Sequence, residues 1–336
     1  MKLNRLFMMI GAVLVFASTN GFAQGPNNSG TYYKDADGKK GAELKTALCA
    51  VINPHTQRTY KQLWDDFRTT DAKPNGKVWD MYSNKREFTF GTDQAGNYSQ
   101  EGDVYNREHS FPKSWFNDEY PMYTDLFHLY PTDGWVNNAR GNDPFGEVGP
   151  GYKQSANGFS KWGDAKSGLG YSGKVFEPND EYKGDFARTY FYMVTCYEEK
   201  LPDWYANYSE SQPTLDGNTY PGLSSWQLEM LMKWAKNDPV SEKETNRNEA
   251  VYGIQKNRNP FIDYPGLEDY IWGDKKDVAF SYDHFGETGI EDLLEDVQND
   301  EPEAIYSPDG RRLEKMQRGL NIVRTKSRRT SKVVIK

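Results

Sequence analysis

Apolar residues recur at helical spacing in several parts of the chain. The segments are residues 41–67, with a break at 53–54, and residues 185–200, 224–236 and 242–254. The last segment begins after Ser241, and Glu244 follows three residues later, which is the spacing of a capping box. These patterns predict a mainly helical core.

Shorter runs predict strands. Residues 78–82 and 88–90 have the β-branched and aromatic content of short strands, with turn-forming residues beside them. Near the end of the chain, a Pro-Asp-Gly turn at residues 308–310 separates two β-like runs, and further runs lie at 322–323 and 333–335. We therefore predict an α+β fold with a small β appendage at the C-terminus.

The first 23 residues have the pattern of a secretory signal peptide. Lys2 and Arg5 precede an apolar run over residues 6–17, and the small residues Gly21 and Ala23 follow. This run is shorter than the roughly 20 apolar residues that span a membrane. We expect cleavage after Ala23 and export of the mature chain to the periplasm or the extracellular medium, without a membrane span.

Composition limits the kinds of partner. The 336-residue chain has a formal net charge of −8, which argues against a broad basic face that binds nucleic acid by charge alone. The net charge does not exclude a local phosphate site, above all one where a bound cation supplies the positive charge. Cys49 and Cys196 are the two cysteines, and they form either a disulfide or two buried thiols.

One polar stretch carries candidate chemistry. Residues 105–142 contain two of the four histidines, His109 among them, together with Glu108, Arg140 and Asn142. A carboxylate and an amide carbonyl are ligands for a hard cation such as Mg²⁺. A neutral imidazole beside the cation can take a proton from water, and an arginine can bind a phosphate. These residue types suit phosphodiester hydrolysis.

Spacing within this stretch sets the expected geometry. In a strand, Glu108 and His109 point to opposite faces, so one site can use both only where the strand bends or ends. Pro112 marks such an end. Residues 133–140 are expected to form a short helix that returns Asn142 towards Glu108. The prediction is a strand–loop–helix hairpin that holds a metal between its arms.

Further motifs follow in order along the chain. They are residues 77–83, Arg107-Glu108-His109 with Pro112, residues 125–131 and 136–142, Arg247-Asn248 and residues 255–261. Together they resemble the endonuclease I family of secreted, nonspecific nucleases, which are built around a ββα-metal finger. Phe127 and Lys256 depart from the pattern, since many relatives carry histidine and glycine there. The resemblance implies a catalytic domain over residues 24–287.

The resemblance also implies roles for individual residues. Glu108 and Asn142 would hold one Mg²⁺, with Ca²⁺ or Mn²⁺ as alternatives, and His109 would be the general base. The metal would stabilise negative charge and supply a bound water to the leaving oxygen, so that products carry 5′-phosphates. Arg140 would lie near a phosphate or in the hydrogen-bond network of the finger.

A second set of residues would contact substrate or support the site: Arg107, His128, Asn137, Asn257 and Arg258. His128 either orients the finger or His109 by hydrogen bonding, or is a core histidine with satisfied hydrogen bonds. Asn257 and Arg258 either contact phosphate or join the C-terminal part of the domain to the finger by buried hydrogen bonds.

One aspartate and two histidines outside these sets are expected to have structural roles. Asp125 is expected to anchor a loop rather than bind metal. His55 and His284 are expected at the surface or in turns.

The C-terminal region differs in charge from the rest. Residues 288–303 are predicted to form an acidic linker, and residues 304–336 are predicted to form a basic β tail. The tail resembles the C-terminal appendages of exported proteins of some Gram-negative bacteria. It is either a sorting signal or a β extension of the main domain.

Three alternatives to a monomeric endonuclease acting on DNA stay open. The same site could serve a secreted ribonuclease or phosphodiesterase, because selectivity depends on groove shape and 2′-hydroxyl contacts. The chain could instead be a non-catalytic, aromatic-rich surface-binding protein. The finger could also be degenerate, with Glu108 and Asn142 apart.

Overall fold

A computed structural model describes residues 24–286, 302–325 and 330–335. The predicted signal peptide and most of the predicted acidic linker lie outside this part of the chain. Contacts divide the chain into one compact unit that ends at Asp283 and a second that begins at His284.

The first unit is a mixed α+β structure. Its described residues form nine α-helices: α1 Gly41–Ile52, α2 Leu63–Thr70, α3 Gly134–Arg140, α4 Lys183–Cys196, α5 Leu201–Asn207, α6 Ser225–Asn237, α7 Glu242–Gln255, α8 Pro260–Asp263 and α9 Leu267–Ile271. Short 3-10 helices lie at Lys34–Ala36, Lys113–Phe116, Met122–Thr124, Ala156–Gly158, Asp180–Tyr182, Glu198–Lys200 and Ser209–Ser211.

Two small antiparallel sheets belong to this unit. The first pairs β1, Tyr105–His109, with β2, Leu129–Asp133. The second has the order β3-β4-β5, with strands Lys153–Gln154, Lys161–Asp164 and Lys174–Glu177. No sequence pattern predicted this second sheet, because its strands have only two to four residues and exposed polar positions.

The central helix of the first unit is α4. Every residue from Gly184 to Cys196 is buried, and the helix packs against α1, α6 and α8. It is therefore buried on all sides rather than on the one apolar face that the sequence predicted. Its polar residues have partners inside the unit: Arg188 Nη2 donates to Glu244 at 2.9 Å, and the hydroxyl of Thr189 lies 2.6 Å from that of Tyr130.

Most predicted helices are confirmed. α1 and α2 lie on either side of the predicted break, and α4, α6 and α7 lie within a few residues of their predicted bounds. Before α7, Ser241 and Glu244 form the expected capping box, in which each side chain accepts the backbone N–H of the other residue.

The strands predicted over residues 78–82 and 88–90 are absent from the described structure. Asp80 explains the first difference. Its Oδ1 accepts the backbone N–H groups of Tyr82 and Ser83, at 2.8 and 3.2 Å, and this closes a turn where a strand would continue.

The second unit contains a four-stranded antiparallel sheet in the order β7-β6-β8-β9. The strands are β6 Pro302–Tyr306, β7 Arg312–Leu313, β8 Gly319–Thr325 and β9 Thr330–Ile335. The turn predicted at residues 308–310 joins β6 to β7. Gly310 adopts a φ of +85° there, and the N–H of Ser307 donates to the carbonyl of Arg311 at 2.8 Å.

The structure shows the state of the two cysteines and the exposure of His55 and His284. Both cysteines are free thiols in the described structure. His284 is exposed in a bend, as predicted. The prediction for His55 is wrong: only 2% of its side chain is exposed, because the coil after α1 turns its ring towards Asp125.

None of the described helices is both long and apolar enough to cross a membrane.

Candidate active site

Two strands and a helix hold the candidate residues. β1 ends at His109, so Glu108 and His109 are the last two residues of the strand. In the antiparallel register, Glu108 lies opposite Tyr130 and His109 opposite Leu129. α3 follows β2 directly, because Asp133 caps it: Oδ1 accepts the N–H groups of the first helical turn at 2.9 and 3.0 Å.

His109 is held in one orientation. Its Nε2 lies 3.0 Å from the carbonyl oxygen of Tyr123. A carbonyl oxygen only accepts, so Nε2 carries the proton and Nδ1 keeps its lone pair. The ring is stacked on that of Tyr123, with centroids 5.1 Å apart. Burial, together with the nearby His128, holds the pKa of His109 well below its usual range. The imidazole is therefore neutral and able to accept a proton at Nδ1.

Glu108 is buried beside a cation. Its Oε1 accepts hydrogen bonds from the Tyr82 hydroxyl, at 2.8 Å, and from Nη1 of Arg140. Arg140 also donates to the carbonyls of His109 and Ser110, at 3.1 and 2.8 Å. Burial opposes the charge on Arg140, but the partners Tyr82 and Glu108 outweigh it and raise the pKa of the guanidinium. Of its two expected placements, the structure has Arg140 in the hydrogen-bond network, since it is only 1% exposed.

Asn142 lies two residues beyond α3 and is exposed. Its Nδ2 donates to Oε2 of Glu210 at 3.0 Å, and the same oxygen accepts the hydroxyl of Ser114 at 2.6 Å. The amide nitrogen of Asn142 is therefore engaged, and its carbonyl oxygen accepts no hydrogen bond from any described residue.

Three predicted supporting residues lie on the elements of this site or in contact with its residues. His128 is buried, its Nε2 is 2.7 Å from the carbonyl of Met122, and its ring centroid lies 5.5 Å from that of His109. The guanidinium of Arg107 stacks 3.5 Å from the ring centre of Tyr60. Asn137 is half-buried on α3, where its carbonyl accepts the N–H of Gly141.

Asn257 and Arg258 lie in a different environment. Asn257 donates to the carbonyl of Ile52 and to the hydroxyl of Tyr192, at 2.9 and 2.8 Å. Arg258 is 1% exposed and forms two hydrogen bonds with Asp263, at 2.7 and 2.8 Å. Neither residue forms a hydrogen bond with Glu108, His109 or Asn142. Both form buried hydrogen bonds, which were the predicted alternative to contact with phosphate.

The sequence model of the family described as Endonuclease I matches residues 40–266 of the 336 residues. The chain belongs to the endonuclease I family. As a member of that family it is a nuclease, a hydrolase that acts on nucleic acids.

Two similar proteins are extracellular ribonucleases of Bacillus. The one from Bacillus amyloliquefaciens is 37% identical over 270 residues, 78% of this chain and 85% of the relative. The one from Bacillus subtilis (strain 168) is 37% identical over 248 residues, 72% of this chain and 78% of the relative. The Endonuclease-1 of Buchnera aphidicola subsp. Baizongia pistaciae is 28% identical over 139 residues, 41% of this chain and 46% of the relative.

Sequence reasoning missed three residues that contact the candidate residues of this site. Tyr82 falls within the motif at residues 77–83, but the pattern did not show that its hydroxyl binds Glu108. Tyr123 acts through its backbone carbonyl, which no residue pattern reveals. Glu210 is 68 residues from Asn142 in the sequence and is an ordinary exposed glutamate until the fold brings the two together.

Proposed function

We propose that this protein is a secreted, Mg²⁺-dependent, sequence-nonspecific endonuclease that hydrolyses phosphodiester bonds of DNA and leaves 5′-phosphate ends. The observation that carries the proposal is the orientation of His109, with Nε2 bound to a backbone carbonyl and Nδ1 left to accept a proton, in a residue that directly follows the buried Glu108 in the sequence. The predicted signal peptide and the extracellular relatives support secretion.

The donor atoms fit a hard cation. Oε1 of Glu108 is engaged by Tyr82 and Arg140, whereas Oε2 accepts no hydrogen bond from any described residue. Asn142 has its nitrogen bound to Glu210 and its carbonyl oxygen left over. A carboxylate and an amide oxygen are ligands that Mg²⁺ prefers. When bound there, the cation supplies positive charge to the phosphate and a coordinated water that can protonate the leaving oxygen.

The remaining steps belong to the residues of the chain. His109 takes a proton from the attacking water at Nδ1, and the carbonyl of Tyr123 holds the imidazole in the required tautomer. Arg140 fixes the carboxylate of Glu108 and joins it to the backbone after β1. In this proposal β1, β2 and α3 are the two strands and the helix of a ββα-metal finger.

RNA is the second candidate substrate. The relatives that match most of this chain carry the name extracellular ribonuclease. Single-stranded RNA presents unstacked bases to aromatic side chains, and exposed Tyr120 lies with its ring 5.4 Å from that of Tyr123, the residue that holds His109. We therefore include RNA hydrolysis in the proposal.

The test compares supercoiled plasmid with single-stranded RNA, each treated with the mature protein in Mg²⁺, in EDTA, and in EDTA followed by excess Mg²⁺. We expect cleavage that stops in EDTA and returns with Mg²⁺, with 5′-phosphate ends on the products. Asn142→Ala should raise the Mg²⁺ requirement roughly tenfold or more, and the control Asn138→Ala on the exposed side of α3 should not.

Other outcomes have distinct meanings. Cleavage of RNA alone would replace the proposed DNA substrate and keep the site. Failure of the folded protein to cleave either polymer would overturn the nuclease proposal in favour of a surface-binding protein or a degenerate finger.

A further inference from the structure

Three side chains with metal-binding atoms meet in a buried place outside the candidate active site. His55 follows α1, Asp125 precedes β2, and Cys196 is the last residue of α4. Nε2, a carboxylate oxygen and Sγ of these residues all lie within 4.8 Å of one another. We propose that His55, Asp125 and Cys196 bind a second divalent cation of the borderline-soft class, Zn²⁺, which differs from the Mg²⁺ of the nuclease reaction.

The orientation of His55 supports this site. Its Nδ1 lies 2.6 Å from the carbonyl oxygen of Asn53, so Nδ1 carries the proton and Nε2 keeps its lone pair. Nε2 is buried and has no hydrogen-bond partner among the described residues. It faces a carboxylate oxygen of Asp125 at 4.0 Å, which is too long for a hydrogen bond. A backbone carbonyl on one ring nitrogen and a free lone pair on the other is the usual arrangement of a metal-binding histidine.

Asp125 is a buried carboxylate whose hydrogen-bond donors are all neutral. It is 0% exposed, and no lysine or arginine of the described structure forms an ion pair with it. Its Oδ2 accepts the hydroxyls of Tyr192 and Tyr197, at 2.8 and 2.7 Å. Its Oδ1 accepts the backbone N–H of Phe127 and Nε2 of Gln255, each at 3.0 Å. These donors orient the carboxylate without neutralising its charge, and a bound cation would neutralise it and take the place of a donor.

The donor set selects the kind of cation. Imidazole nitrogen, carboxylate oxygen and thiolate sulfur together are typical ligands of Zn²⁺ and are poor ligands for Mg²⁺. Zinc bonds of about 2.0–2.1 Å at tetrahedral angles require N and O roughly 3.3 Å apart. The three ligand atoms lie within 4.8 Å of one another and His55 Nε2 lies 4.0 Å from Asp125, so they must approach when a metal binds, and in this proposal the coil segment that carries His55 makes the movement. The thiol proton of Cys196 leaves to solvent when the metal binds.

A cleft borders the proposed site. A cavity of about 380 Å³ is lined by Cys49, Asn53, Pro54, Met122, Cys196 and Tyr197, among others. Its lining includes one of the three proposed ligands, Cys196, so the cleft gives a route towards that side of the site. In the proposal a water molecule fills the fourth tetrahedral position.

The expected role is structural. The metal would join the end of α1, the end of α4 and the loop that contains Asp125. That loop region also supplies the carbonyls of Met122 and Tyr123, which hold His128 and His109. Binding of zinc should therefore stabilise the folded chain even when the nuclease reaction is not measured.

The test measures metal binding to the full mature chain, purified without a histidine tag and stripped with a chelator. Zinc is titrated in competition with a chromophoric chelator, and Co²⁺ is added to a second sample to detect thiolate-to-metal absorption. We expect one equivalent of zinc, a thiolate band with Co²⁺, and a melting temperature that rises with Zn²⁺ but not with Mg²⁺.

Three variants locate the metal. His55→Gln and Cys196→Ser should each weaken zinc binding on the order of a hundredfold, whereas Cys49→Ser, which removes the other thiol of the cleft, should bind as wild type does. If Cys196→Ser fails to fold, His55→Gln and the cobalt spectrum of the wild type decide.

Three results would overturn the proposal. One is a folded wild type that binds no zinc, which would leave a simple pair of His55 and Asp125. The second is equal affinity in the wild type and His55→Gln, and the third is equal losses in Cys49→Ser and Cys196→Ser. Either of the last two would place the metal elsewhere.

Discussion

Removal of the buried guanidinium of Arg140 should destabilise the fold as well as the site. Arg140→Met keeps an apolar stem of similar length but deletes the donors to Glu108 and to the carbonyls of His109 and Ser110. The side chains of Arg140 and Glu108 are 0% and 5% exposed, so water cannot readily replace the lost partner. The variant leaves a buried carboxylate without its cation.

Breaking a buried ion pair by removing one partner costs about 3–5 kcal/mol. Domains of 150–250 residues lose roughly 2–4 °C of melting temperature per kcal/mol. We therefore expect the melting temperature of Arg140→Met to fall by about 6–20 °C. The control is Lys166→Met, which removes an ion pair to Glu147 whose lysine is 59% exposed. Such a surface pair contributes at most about 1 kcal/mol.

The assays are thermal unfolding, which gives the melting temperature, and denaturant unfolding, which gives the free energy, both followed by far-UV circular dichroism in EDTA and in Mg²⁺. If Glu108 binds the cation, Mg²⁺ should restore more stability to Arg140→Met than to the wild type, because the carboxylate has lost its other positive partner. A loss of less than about 1 kcal/mol in EDTA, equal to that of the control, would refute the reasoning about this network.

Three further predictions follow from single contacts. Burial lowers the pKa of His109, so its imidazole is neutral at and above pH 6.5. In a pH–rate profile, plasmid cleavage should be lost only well below that pH, where His109 becomes protonated. An acid midpoint at or above pH 6.5 would contradict this prediction. Glu210→Ala frees the amide of Asn142 and should raise the Mg²⁺ concentration for half-maximal cleavage about 2- to 10-fold, as expected for one hydrogen bond, with the exposed Glu229→Ala unchanged. Lys256 follows the last residue of α7 and has a φ of +67°, a backbone conformation that favours glycine. Lys256→Gly should therefore raise the free energy of unfolding by about 1 kcal/mol in a urea titration. A lower free energy of unfolding in this variant would be the contrary result.

The sequence was sufficient for elements whose signals are local. The capping box of Ser241 and Glu244, the apolar repeat of α6 and the short helix near Asp133 depend on residues only a few positions apart. The candidate site was found for the same reason, since Glu108, His109, Arg140 and Asn142 lie within one stretch of the chain.

Features that depend on distant contacts could not be predicted. The pattern of α4 predicted one apolar face, and its opposite side is buried because polar residues such as Arg188 pair with groups that are distant in sequence, here Glu244. His55 was expected near the surface because nothing in its neighbourhood shows that Asp125 and Cys196 approach it. Tyr123 contributes a backbone carbonyl, and the identity of a side chain does not reveal the use of its backbone.

The central claim is that His109 activates water in a metal-dependent nuclease site. The most direct measurement is the single-turnover rate of plasmid cleavage by His109→Ala at saturating Mg²⁺, compared with the wild type and with His284→Ala, which removes an exposed histidine of the second unit. We predict a rate at least about 100-fold lower for His109→Ala, with an unchanged circular dichroism spectrum and an unchanged rate for His284→Ala. A folded His109→Ala variant that cleaves within about tenfold of the wild-type rate, well short of that loss, would contradict the account.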